Sequence, residues 1–106
     1  MTNIRIIVKN ILYPYRINPR VDHLIKDLNN SPINSLGFIK STSYREFNEK
    51  DINTIYTIYD WDSHDNWSNW KNSSKMKELK FKYSDIIKNE NISLLYKQNY
   101  NDTFLL

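Results

Sequence analysis

The chain has 106 residues, a formal net charge of +3 and no cysteine, which fits one domain with a single modest core and excludes a disulfide framework, a thiol nucleophile and a thiolate metal site. The charge is mildly basic and calls for no nucleic-acid partner. No apolar run approaches the ~20 residues of a spanning helix, and the N-terminus enters a strand pattern without a signal-peptide core, so a cytoplasmic protein with no membrane contact is expected.

Ile4, Ile6, Val8 and Leu12 recur with period two, with Ile7 and Ile11 in the opposite phase. That predicts a strand from about residue 3 to 13, apolar on both sides and stopped by Pro14. Asn18-Pro19 reads as a helix cap followed by proline at the first helical position. Val21, Leu24, Ile25 and Leu28 then give the stripe of an amphipathic helix ending near Asn30. A second strand is predicted over Leu36 to Tyr44, with Gly37 marking a close backbone approach or a bulge. A polar loop leads to a third strand from Thr54 to Trp61.

Ser63 stands where a helix cap belongs, and the short helix after it carries Trp67 and Trp70. Asn72-Ser73-Ser74 reads as a break and a second cap. Met76, Leu79, Tyr83, Ile86 and Ile87 line one face of a helix predicted to run to about Lys88. Ile92, Leu94 and Tyr96 make the last strand, with Leu95 opposite. Residues 1–100 read as one domain and 101–106 as a short tail ending in Phe104-Leu105-Leu106.

The order β-α-β-β-α-β suits a ferredoxin-like α+β fold, two helices covering one face of a four-stranded antiparallel sheet. Ile7, Ile11, Ile39 and a bulky face of the third strand leave the other sheet face apolar. Such a face normally meets a partner, and a homodimer joined sheet to sheet is the simplest solution.

Three Trp residues in ten positions, Trp61, Trp67 and Trp70, mark a core corner or an aromatic-lined pocket. The order of elements, Leu36-Gly37-Phe38, and the run Trp61-x-Ser63-x-x-x-Trp67-x-x-Trp70-x-x-Ser73 resemble the antibiotic biosynthesis monooxygenase (ABM) domain family over residues 4 to 100. The resemblance implies a dimeric α/β barrel. It further implies either cofactor-free oxygenation of polycyclic aromatic substrates or, in one branch, haem degradation. The haem-degrading branch combines an Asn on the first strand, a Trp on the short helix and a His that binds iron. Asn10 and Trp70 match the first two, whereas Lys80 occupies the third position. A protonated Lys has no lone pair for iron, which speaks against ordinary haem ligation.

Asn10 and Trp70 are therefore the candidate catalytic residues, and Lys80 and Trp67 the candidate substrate contacts. Each has a structural alternative: a buried, paired amide for Asn10, core packing for Trp70 and Trp67, and a stem lying over apolar surface for Lys80. His23 and His64 lack partners at metal spacing, so no metal site and no cofactor are expected. Asp60, Asp62 and Asp65 suit the start of the short helix. The expected function is cofactor-free oxygenation of a small aromatic or polycyclic substrate in a cavity between helices and sheet. The alternatives are a non-catalytic dimeric ligand-binding or assembly module of the same fold and, behind it, a haem-degrading monooxygenase with atypical ligation.

Overall fold

The structure, a computed structural model, describes residues 3–13, 19–47 and 53–96. The predicted Pro14 stop, the Asn18 cap and the tail 101–106 lie outside the described residues. Within them the order is β1 (Ile4–Leu12), α1 (Arg20–Asn30), β2 (Phe38–Phe47), β3 (Asn53–Trp61), α2 (His64–Lys71), α3 (Ser74–Lys82) and β4 (Ile87–Tyr96). The strands form one antiparallel sheet in the order β2-β3-β1-β4. This is the ferredoxin-like arrangement the sequence predicted. No described helix is long and apolar enough to cross a membrane.

Two boundaries differ from the sequence reading. β2 starts at Phe38 and continues to Phe47, because Gly37 adopts φ +85° and turns the chain just before it. A Cβ on Gly37 would collide with Asp62 and Asn66, so only glycine fits this crossing. Helix α3 stops at Lys82, six residues before the predicted Lys88. Ile86 and Ile87 extend the apolar spacing of α3, yet they have left it: the Ile86 carbonyl accepts from Tyr13 N at 3.0 Å, and Ile87 opens β4. The Ser63 and Ser73 caps fall where predicted, whereas Pro19, read as the first helical residue, is the N-cap of α1, which starts at Arg20. Ser63 Oγ accepts from Asn66 N, and Ser73 Oγ accepts from Met76 N.

All three helices contribute to the core against one sheet face, and the core has two apolar clusters. Ile4, Ile6, Val8, Tyr59 and Trp61 meet Trp67, Trp70 and Met76 in the first. Leu12 and Ile55 meet Val21, Leu24, Leu28, Leu79, Tyr83 and Ile86 in the second. Between them, fully buried, lie Asn10 on β1 and Thr57 on β3. Thr57 is satisfied: its hydroxyl shares a 2.9 Å hydrogen bond with Ser43 Oγ, which accepts from Asn29 Nδ2 at 2.7 Å. These hydrogen bonds run from α1 through β2 to β3 and end there, short of Asn10.

Helix α1 is tied down at both ends. The Tyr59 hydroxyl donates to the Leu28 carbonyl at 2.7 Å. Arg20 pairs with Asp85 at 2.6 Å and donates to the Lys82 carbonyl, an orphan acceptor at the end of α3. The Asp27 carboxylate accepts from the Tyr83 hydroxyl at 2.5 Å and from Lys82 Nζ at 3.3 Å. Burial alone would push the Asp27 carboxyl up, but these two donors outweigh it and hold it below its usual range. A carboxyl depressed in the folded state stabilises above its unfolded pKa and loses that contribution as pH falls through the folded value. Asp27→Asn is therefore expected to lower thermal stability at pH 7, with the difference from the parent protein disappearing below the ordinary carboxylate range. Thermal melts from pH 7 to pH 2 check this.

The opposite sheet face is uncovered. Ile7 stands across from Ile58, and Tyr44 across from Tyr56. Tyr44, Ile39 and Leu95 are exposed. At one end Arg5 grips Asp60 through two hydrogen bonds of 2.8 and 3.1 Å.

Candidate functional site

Asn10 is held by the centre of the sheet. On β1 it alternates in phase with Ile4, Ile6, Val8 and Leu12, which all enter the core, so its amide points to the helix-covered side. It pairs with Ile55 on β3 and with Glu90 on β4. It is 0 % exposed, yet neither Oδ1 nor Nδ2 has a hydrogen-bond partner. A buried amide in this condition costs roughly 1–3 kcal/mol, and native proteins seldom retain one without a reason. The Thr57 hydroxyl, which lies between the same two clusters, is paired, so Asn10 is the exception there.

Glu90 sits beside it. Ile92 and Leu94 of β4 pack against the first core cluster, and alternation gives Glu90 the same face. Its carboxylate is 3.4 Å from Lys80 Nζ. Lys80, one of the predicted substrate contacts, therefore reaches from α3 to the strand position opposite Asn10. Of the four predicted residues, Lys80 alone reaches the strand position opposite Asn10, and no hydrogen bond joins it or Glu90 to the Asn10 amide.

Trp70 and Trp67 belong to the first cluster. The Trp70 ring lies 5.1 Å from the Tyr59 ring and 5.6 Å from the Trp61 ring. Its Nε1, like that of Trp61, is buried without a partner. Trp70 also lines a recess of about 310 Å³ together with Leu36, Asn66, Asn69 and Ser73, and Asn10 does not line it. Trp67 is buried, with the His64 ring 5.3 Å away edge-on and Lys71 Nζ 5.0 Å from its centroid. These contacts pack both tryptophans within the first cluster, and no described contact joins either to Asn10.

Tyr59 links the two groups. Burial pushes its phenol far up, and the negative charge of Glu90 adds to the effect. It therefore stays a neutral donor, committed to the Leu28 carbonyl.

Haem does not fit the residues present. Lys80 is engaged with Glu90, and both His23 and His64 are on the exposed surface. Among the described residues no group of three or more His, Asp or Glu side chains is placed to hold a metal ion.

Sequence reasoning missed Glu90 and Tyr59. Tyr59 was legible from its phase with Trp61. Glu90 was hidden because continuing α3 to Lys88 removed the first residues of β4, and with them its alternation.

No protein-family model and no curated protein matches the chain. Solved structures do. SnoaB, a cofactor-independent oxygenase from Streptomyces nogalater, superposes with a TM-score of 0.77 at 11% identity, over 95% of this chain and 98% of that one. A dimeric ferredoxin-like protein of unknown function from Thermobifida fusca gives 0.72 at 10% identity, over 89% and 90%. A Bacillus cereus protein provisionally named an antibiotic biosynthesis monooxygenase gives 0.59 at 15% identity, over 94% and 96%. At such identities the likeness is one of fold.

Proposed function

From an ABM-like ferredoxin fold, we propose that this protein is a cofactor-free monooxygenase acting on a small aromatic or polycyclic substrate at Asn10, between helices and sheet. The observation that carries this reading is the buried Asn10 amide, with donor and acceptor both unspent. Such a group is preorganised for a substrate carbonyl that gains negative charge as it reacts. The apolar clusters on either side of it would exclude water and strengthen that interaction.

The chemistry balances without a further reductant. An activated CH₂ group of the substrate becomes a carbonyl, one atom of O₂ enters that carbonyl, and the other leaves as water. The substrate supplies all four electrons. Lys80 would add positive charge beside the developing oxyanion, and Trp70 would carry the apolar wall. Anthrone, a cyclic aryl ketone with an acidic CH₂, is a suitable probe. Chelator-treated protein is expected to convert it to anthraquinone, consuming one O₂ per molecule, as read by oxygen electrode and absorbance. Failure to bind or turn over anthrone and related tricyclic ketones would remove the proposal.

The packing of Trp70 between Tyr59 and Trp61 favours a second reading, a non-catalytic binding or assembly module. Both readings include a homodimer through the sheet face. The uncovered row of Ile7, Ile58, Tyr44 and Tyr56 supports it, and the Thermobifida neighbour is dimeric by description. Ile7→Asp would bury an unpaired charge there, at a cost of several kcal/mol. At micromolar concentration, sedimentation equilibrium is expected to give a dimer for the parent protein. The variant is expected to run near the monomer mass of 12.8 kDa.

A further inference from the structure

Oxygenation without a cofactor starts from a carbanion, so a group at the site must remove a proton from substrate carbon. None of the four residues read from the sequence serves. An amide and two indoles are not basic, and Lys80 is an ammonium held against a carboxylate. His23 and His64 are exposed, and the His64 ring rests on Trp67. Several carboxylates are committed elsewhere. Asp27 accepts from Tyr83 and Lys82. Asp60 grips Arg5 on the opposite sheet face, Asp62 accepts from Asn66, and Asp85 pairs with Arg20.

Glu90 is differently placed. Strand pairing sets it directly opposite Asn10, where side chains on one face have Cβ atoms about 4.5–5.5 Å apart. It lies on the edge strand, 27% exposed at the side chain, so it borders both solvent and core. Alternation with Ile92 and Leu94, which pack against the first core cluster, puts it on the helix-covered side of the sheet, where Lys80 Nζ lies 3.4 Å from its carboxylate.

Resting on the reading of the Asn10 site above, we propose that Glu90 is its catalytic base. The Glu90 carboxylate takes the proton of a C–H group adjacent to an aryl ketone. The C–H electron pair passes into the enolate, whose oxygen is held by Asn10 Nδ2 and Lys80 Nζ. The site therefore selects carbon acids whose conjugate bases are delocalised aryl enolates. Fixed donors at the enolate oxygen lower the barrier to this transfer. The ion pair also has a use in the step. Once Glu90 is protonated it is neutral, and the Lys80 ammonium is freed to pair with the new oxyanion, so the net charge of the site is unchanged.

The test separates proton removal from oxygenation. Under nitrogen, in D₂O, the CH₂ protons of anthrone are followed by NMR with and without protein, and binding is followed by quenching of tryptophan fluorescence. The parent protein is expected to accelerate exchange. Glu90→Gln is expected to bind anthrone with similar affinity but lose the acceleration by roughly 10²-fold or more, and Glu90→Asp to recover part of it. Exchange by Glu90→Gln at the parent rate would overturn the assignment of Glu90 and leave the Asn10 site standing. Absence of both binding and exchange in the parent protein would overturn both. Should Glu90→Gln misfold, as judged by circular dichroism, Glu90→Asp and Glu90→Ser carry the same comparison.

Discussion

Asn10→Leu is expected to lower oxygen-dependent turnover by roughly 10²–10³-fold while raising thermal stability. The two effects have one cause. The Asn10 amide is fully buried and makes no hydrogen bond, so it destabilises the free protein by roughly 1–3 kcal/mol relative to an apolar group of similar shape. If that amide is the donor to a developing oxyanion, removing it costs about 2.7–4 kcal/mol of barrier. Opposite signs in stability and activity are the signature of a group retained for chemistry. A stability gain with turnover unchanged would leave the amide without a catalytic role and favour the binding module. Asn10→Ala serves as a second variant, with the same loss of turnover and a smaller change in stability, because it also opens a cavity. Oxygen uptake and denaturant unfolding measure the two sides.

Trp61→Ala is expected to have the largest effect on folding of any single core substitution. Trp61 is 0% exposed and pairs across the sheet with both Ile4 and Phe38. Its ring lies 5.5 Å from that of Phe38 in an edge-on contact and 5.6 Å from that of Trp70. Removing so large a side chain typically costs about 3–5 kcal/mol, against a total stability of roughly 5–15 kcal/mol for a domain. Each kcal/mol is worth about 4–8 °C in a domain of up to 100 residues, so the midpoint should fall by roughly 12 °C or more. Differential scanning calorimetry checks this. A shift of only a few degrees would mean that the first cluster is loosely packed around Trp61. Trp70 would then have more freedom to serve a ligand than its contacts with Tyr59 and Trp61 indicate.

Much of the fold is legible in the order of the amino acids alone. The period-two phases of β1 and β3 put Ile4, Ile6, Val8, Tyr59 and Trp61 on one face, and all are buried together. Ser63 and Ser73 mark two helix starts because a hydroxyl ahead of a helical run satisfies an orphan N–H. The end of α3 is not legible in the same way. Ile86 and Ile87 continue the helical spacing of Met76, Leu79 and Tyr83, and it is the hydrogen bond from Tyr13 to Ile86 and the pairing of Ile87 with Leu12 that show the chain has turned towards strand. Short apolar runs leave helix and strand undecided by period alone.

The candidate site divides along the same line. Asn10 could be placed on the inner face because strand phase is local. The distance from Asn10 to Trp70 depends on how α2 sits over the sheet, which no local pattern encodes. Trp70 accordingly lies against Tyr59 and Trp61, whereas Lys80 reaches the Asn10 strand pair through Glu90.

Catalysis at Asn10 requires that a ligand oxygen occupy the space beside its amide. The most direct measurement is the side-chain amide resonance of Asn10, assigned by comparison with Asn10→Asp and followed in ¹⁵N-labelled protein during titration with anthraquinone. Saturable movement of that resonance, with one amide proton shifted downfield as it begins donating to the ligand carbonyl, is the expected result. An Asn10 resonance that stays fixed while the ligand binds elsewhere, or while nothing binds, would contradict the central claim.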